Sequence, residues 1–254
     1  EDPVAVSVCA VFLWCVDQRY GYRLGCVLVA GAALNCVLKN IFRIPRPWQR
    51  DFPGYEPPLR QSTATGYSFP SGHAQNAAML GGMLCKKTRA AALRAVWIFL
   101  VLLVGLSRIY CRVHTWQDVL GGFAAGGAAV FLLDAAAVYL MRKKPCAMLW
   151  MLVPALALLL IPDHDLYKTC GLLAAVSVGY TLERRFLHYD VRAPLGVQVC
   201  KVALGLFLTA LLRAGLKPLL GASLAADALR YFCVGLFVSF GAPYLFAKLW
   251  GKRA

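Results

Sequence analysis

A chain of 254 residues in which 60% are hydrophobic and only 15% charged is too apolar for an ordinary soluble domain of that length. The net charge of +15 would suggest nucleic acid in a soluble protein. Here the cations lie in short loops between apolar runs, where they act as topology signals, so a nucleic-acid partner is excluded and a lipid bilayer is expected instead.

The first apolar run, Pro3 to Val16, is short for a span and is expected to be the end of one that begins upstream; no cleavable signal peptide is visible. Longer runs follow at roughly 22–42, 70–85, 90–110, 116–141, 146–161, 166–182, 196–215 and 226–250. They predict an all-α polytopic membrane bundle of about eight or nine transmembrane helices. With no Gly/Ser linker or long polar insertion, the chain reads as a single membrane domain, 1–254. Residues 22–141 would form a core of antiparallel helices and 142–254 additional C-terminal helices.

The second run ends in Lys39 to Pro47 (KNIFRIPRP). Alone, Lys39 and Arg46 are ordinary cations at the end of a membrane helix. The stretch from Arg43 to Phe69 is the longest polar segment and is rich in Pro and Gly, which suits a cover over a site as well as a plain connector. Next comes Pro70-Ser71-Gly72-His73 before an apolar helical run, with Ser71 as N-cap and Gly72 and His73 in the first turn. Unpaired amides at such an opening attract an anion, and Gly72 lets a phosphate approach the backbone.

The third stretch, Ser107 to Asp118 (SRIYCRVHTWQD), closes one run and opens the next. His114 and Asp118 are spaced i, i+4 and share a face if the turn is helical. Two readings of Asp118 stand side by side. Its carboxylate can fix the tautomer of His114 and leave the other nitrogen bare for attack, which is the favoured role. It can also complete the capping pattern Thr115-x-x-Asp118. Taken with Arg108, the cations Lys39 and Arg46 form an electrostatic clamp for a phosphate and its transition state.

Further along, Gly122 and Gly126 form a GxxxG suited to close helix packing. Asp163, His164 and Asp165 read as a solvated turn before a cation site, and Glu183 to Asp190 as a charged loop. Most of the ten cysteines (Cys9, Cys26, Cys36, Cys85, Cys146, Cys170, Cys200 and Cys233), without metal-ligand spacing, read as small core residues, while Cys111 stands apart inside the third motif. Apart from the motif cations and Lys201, fifteen Lys and Arg fall on one face of the predicted topology and eight on the other. The richer face is expected in the cytoplasm, which puts all three motifs on the extracytoplasmic side.

The ordered set KxxxxxxRP, PSGH and SRxxxxxHxxxD, within Lys39 to Asp118, resembles the type 2 phosphatidic acid phosphatase superfamily. Its membrane branch consists of lipid phosphatases, with haloperoxidases and glucose-6-phosphatase as more distant relatives. The resemblance implies that His114 is the nucleophile, Asp118 its orienting partner and His73 the general acid. Lys39, Arg46, Ser71, Gly72 and Arg108 would bind the phosphate. It implies no metal and no cofactor. A lipid phosphate or pyrophosphate would be the substrate, among them phosphatidate, lysophosphatidate, phosphatidylglycerophosphate, a sphingoid phosphate and undecaprenyl pyrophosphate. The expected location is the cell membrane, with oligomeric state left open. A lipid phosphotransferase using the same phosphohistidine, and a non-enzymatic lipid transporter or scramblase, are the alternatives.

Overall fold

The computed structural model describes residues 3–50, 58–59 and 66–251, and among them every regular element is helical. In chain order these are α1 (Pro3–Val11, extended by a π turn Phe12–Val16), α2 (Gln18–Phe42), α3 (Gly72–Lys87), α4 (Ala91–Tyr110) and α5 (Trp116–Arg142). After a 3-10 segment, Pro145–Met151, come α6 (Leu152–Leu158), α7 (His164–Leu182) and α8 (Leu195–Leu220). Last are α9 (Leu224–Leu236) and α10 (Ala242–Trp250), joined by a π turn, Phe237–Gly241. Among the described residues, five stretches are long and apolar enough to cross a bilayer: Gln18–Gln49, Ala91–Tyr110, Trp116–Arg142, Leu195–Leu220 and Leu224–Trp250. This is the expected all-α membrane bundle. The chain folds as two compact units, one of residues 30–134 and one of residues 1–29 with 135–254.

In the unit of residues 30–134, the C-terminal part of α2 and helices α3, α4 and the start of α5 meet with their functional ends together. In lipid no hydrophobic effect drives helices onto one another, so close contact depends on small residues and on internal hydrogen bonds. Gly122 and Gly126 supply the first. A Cβ at Gly122 would fall 2.6 Å from the Ser71 carbonyl, and one at Gly126 2.7 Å from the Gln75 carbonyl, so α5 rides directly on the backbone of α3. The GxxxG thus packs helices within the bundle, as expected. Asn35 and Gln75 supply the second. The Asn35 amide donates to Gln75 Oε1 at 2.9 Å and to the Pro70 carbonyl at 3.3 Å, while Gln75 Nε2 donates to the Gly31 carbonyl at 2.6 Å. Both amides are buried, so α2 holds the opening of α3 by bonds that no water replaces. At the far end, Lys86 pairs with the buried Asp134 at 2.5 Å.

The other unit is built on aromatic residues. Trp14, Tyr22, Met148 and Phe246 are each at most 1% exposed and share one core with Tyr180 and Tyr189. Trp14 meets Phe246 edge to face at 5.5 Å, and Tyr22 meets Tyr180 likewise at 5.0 Å. Their polar tips must still be satisfied, and the π turn Phe237–Gly241 does this. A π turn displaces the regular helical bonding and frees carbonyls. Trp14 Nε1 donates to the Val238 carbonyl at 2.9 Å and the Tyr22 hydroxyl to that of Ser239 at 2.5 Å.

The turn at Asp163, His164 and Asp165 is exposed at His164 and Asp165, as expected of a solvated turn; Asp163 caps α7 through Leu166 N–H, Asp165 pairs with Lys168, and His164 lies against Asp227. Another expectation for this unit changes. Glu183, expected in a charged loop, is fully buried and accepts from Tyr189 N–H at 2.9 Å. The chain turns left-handed at His188 (φ 50°), which folds Tyr189 back over the end of α7 and closes Glu183 off from water. All ten cysteines are free; Cys26 and Cys170 are buried as expected, whereas Cys146 and Cys200 are exposed. The latter two lie on surfaces of helical segments too apolar to need a core position.

Candidate active site

Helix α2 ends because Arg43 adopts a left-handed conformation (φ 49°) and Pro45 cannot continue the helix. The chain then runs extended to Arg46, whose side chain turns inward and is 3% exposed. A buried guanidinium needs acceptors for its fork of donors. Arg46 Nε donates to the Gly66 carbonyl at 3.0 Å and Nη1 to the Val113 carbonyl at 3.1 Å. The same Nη1 lies 2.9 Å from His114 Nε2. A guanidinium has no lone pair to offer, so Nε2 must be the acceptor and His114 the neutral tautomer with its proton on Nδ1.

His114 stands on the turn between α4 and α5. The turn is tight because Cys111 N–H bonds the Ser107 carbonyl, Val113 N–H bonds that of Arg108, and Arg112 adopts φ 58°. Asp118, at the start of α5, serves that turn in two ways. Its Oδ2 accepts from Thr115 N–H at 2.8 Å while Thr115 Oγ1 accepts from Asp118 N–H at 3.4 Å, which completes the capping box. The same oxygen lies 3.6 Å from His114 Nδ1, beyond ordinary hydrogen-bond length but close enough for its charge to attract the imidazole proton. Burial lowers the His114 pKa below the ordinary 6.5; the charges of Arg46 and Lys39 act in the same sense and Asp118 opposes them. The neutral form of the histidine is therefore favoured, with its Nε2 lone pair engaged by Arg46.

Asp118 is itself fixed by Ser68, a fully buried residue whose hydroxyl donates to Oδ2 at 2.6 Å. Sequence reasoning missed Ser68, Asn35 and Gln75. Ser68 carries no pattern signal, but Asn35 and Gln75 are polar residues inside apolar runs, which is a recognisable sign of an internal tie. Ser68 N–H also bonds the Ile44 carbonyl at 2.8 Å, and Ser71 N–H bonds the Asp118 carbonyl at 2.9 Å. The three sequence stretches are thus one hydrogen-bonded assembly.

The remaining predicted residues take less intimate places. Ser71 is buried and caps α3 through Ala74 N–H at 3.5 Å. Gly72 lies against Asn35, where a Cβ would sit 3.3 Å from its Oδ1. His73 is exposed in the first turn of α3. Arg108 is half-buried, with Nε donating to Ser107 Oγ at 3.2 Å. Lys39 lies half-buried in the last turn of α2, near enough for its charge to act on His114. The expected cover, Arg43 to Phe69, falls in part outside the described residues; of its described part, Leu59 N–H bonds the Cys111 carbonyl at 3.2 Å. Among the described residues no three His, Cys, Asp or Glu side chains group as metal ligands. The chemistry offered is a buried neutral imidazole lined by fixed positive charge.

Comparison with known proteins gives this arrangement its context. Residues 20–144 match the model of the PAP2 superfamily, and residues 167–253 match that of the PAP2 superfamily phosphatase, transmembrane extension. The chain is 34% identical over 110 residues to phosphatidylglycerophosphatase B of Bacillus subtilis (strain 168), a match covering 39% of this chain and 49% of that protein. It thus spans about half the length of this relative. No solved structure matches. The two family models together cover most of the chain, and the chain belongs to the PAP2 superfamily.

Proposed function

We propose that this protein is an integral-membrane phosphatase that hydrolyses a lipid phosphate or pyrophosphate through a phosphohistidine on His114. The single observation that carries the reading is the pairing of the buried His114 Nε2 with Arg46 Nη1 at 2.9 Å. It is a nucleophile and a phosphate clamp held in contact. A bound phosphate takes over the Arg46 donors with its non-bridging oxygens, which releases the Nε2 lone pair toward phosphorus. As the N–P bond forms, the bond from phosphorus to the leaving oxygen breaks, and His73 delivers a proton to that oxygen. Water then attacks the phosphohistidine, His73 takes a proton from it, and inorganic phosphate leaves with His114 restored.

Lys39, Arg46 and Arg108, with the Ser71 hydroxyl and the Gly72 amide, bind the non-bridging oxygens. Such transfers need positioning and charge compensation more than covalent help, and these cations supply the compensation that a metal gives elsewhere. Helices α2 to α5 work with the C-terminal helices as one membrane domain, in the cell membrane, with the site on the extracytoplasmic face. A headgroup then enters from the aqueous side while its acyl or prenyl tail stays in the bilayer. The name of the Bacillus relative makes phosphatidylglycerophosphate the first substrate to try.

The test is phosphate release from a panel of phosphatidylglycerophosphate, phosphatidate, lysophosphatidate and undecaprenyl pyrophosphate, each with and without EDTA. It compares the intact chain with His114→Ala, and includes glycerol as an acceptor in parallel. Release that is EDTA-resistant and lost in the variant is expected. Activity surviving in His114→Ala would sink the nucleophile, and transfer to glycerol in place of release would make the protein a transferase.

A further inference from the structure

The C-terminal helices hold a second concentration of charge that the catalytic site does not use. Where the start of α7, the end of α8 and the start of α9 come together, they enclose an open cavity of about 690 Å³. Lys168, Arg213, Lys217 and Arg230 line it, with His164 and a single carboxylate, Asp227. Cations at the ends of membrane helices are usually anchors that reach toward water. This group differs in having a built floor. Asp227 is 4% and Arg230 8% exposed; Asp227 accepts from Arg230 through Oδ1 and lies 2.6 Å from His164 Nδ1 through Oδ2.

The buried carboxylate fixes the two basic groups on the cavity wall and offsets one of the four permanent charges around it. Lys168 is drawn toward Asp165 at 2.8 Å, on the rim, which offsets a second and leaves a net excess of two positive charges. Arg213 and Lys217, one helical turn apart on α8, are exposed on the opposite wall. A cavity that carries this excess of positive charge over a rigid floor fits an anion with several acceptor oxygens. The volume exceeds what a bare phosphate fills, and α8 and α9 are both candidate membrane spans, so the cavity stands at the end of the apolar zone where headgroups lie. The wall is continued by apolar groups, Pro218 and Tyr231.

We propose that this cavity binds the phosphate-bearing headgroup of an anionic phospholipid, as a lipid site separate from the one at His114. The same phosphate chemistry could come from free inorganic phosphate, and the experiment separates the two. Purified full-length protein is titrated with dioleoylphosphatidylglycerol or dioleoylphosphatidylcholine in mixed micelles, and retained lipid is counted by native mass spectrometry. The wild type should keep the anionic lipid at least about tenfold more tightly than the zwitterionic one. Arg213→Glu/Lys217→Glu, both exposed and outside the catalytic machinery, should lose that preference, whereas Arg213→Lys/Lys217→Arg should keep most of it. Equal retention of the two lipids by the wild type, or a preference unchanged in the charge-reversed variant, overturns the site. Displacement of the anionic lipid by 10 mM inorganic phosphate, with phosphate retained in its place, overturns the lipid assignment. Phosphate release at His114 is measured on the same preparations, so a failed catalytic reading and a failed lipid site give different results.

Discussion

The two units handle buried polarity in opposite ways. In residues 30–134 the polar groups face inward and hold one another: Arg46, His114, Asp118, Ser68, Asn35 and Gln75 are all buried and tied by hydrogen bonds. In the other unit aromatic rings fill the core, and the polar tips of Trp14, Tyr22 and Tyr189 are discharged onto backbone carbonyls. The first arrangement sets the position and charge of one imidazole. The second sets how the helices around that aromatic core pack. A buried polar network is costly to leave half-satisfied, so its loss should be felt in chemistry, whereas loss of an aromatic tip should be felt in stability.

Substitutions can break that contrast. His114→Ala should abolish phosphohistidine formation and lower phosphate release by about 10³-fold or more, read by single-turnover phosphate release. Arg46→Lys keeps the charge but cannot reach the Gly66 and Val113 carbonyls and His114 with one ammonium, so kcat/KM should fall by about 10²-fold, with some loss of thermal stability from the carbonyls left unpartnered. A wild-type rate in that variant would remove the clamp from the mechanism.

The pH profile sharpens the comparison. His114 works as the neutral form, and burial lowers its pKa, so the acidic limb of activity should lie below the pH at which an ordinary imidazole titrates. Asp118 is the group that raises this pKa, so Asp118→Asn should move the acidic limb further down while reducing the maximal rate. A limb shifted upward would contradict the assignment. Ser68→Ala removes a charge-assisted bond to Asp118 and should cost about tenfold in rate, with the limb moved in the upward direction as the freed carboxylate attracts the imidazole proton more strongly. The smallest effect is expected in the other unit. Tyr189→Phe loses a buried bond to the Trp14 carbonyl, which should lower unfolding stability by about 1 kcal/mol and leave the rate untouched.

Much of this was legible in the order of residues. The helices stand close to where the apolar runs placed them, because a segment crossing lipid must satisfy its own backbone and therefore announces itself in composition. The start of α3 was readable from Ser71, since an N-cap acts on its own next turn. The dual role of Asp118 was readable as two alternatives, for both partners, Thr115 and His114, are near in sequence. Ser68 was not readable. Its meaning depends on Asp118, fifty residues away, and no local pattern encodes a contact made only when loops converge. Glu183 misled for the same reason: a charged run looks solvated until a left-handed turn at His188 closes over it.

The sequence by itself determined that the chain is an all-α membrane protein and which residue types stand ready for a phosphate, because apolar length and motif spacing are local properties. Only the tertiary structure decided that His114 is neutral with Nε2 against Arg46, that Asp118 serves the backbone and the imidazole with one oxygen, and that Arg230 and Asp227 floor a second cationic cavity. Those are matters of distance and burial between residues far apart in the chain, and the charge state of a side chain follows from its surroundings rather than from its place in the order.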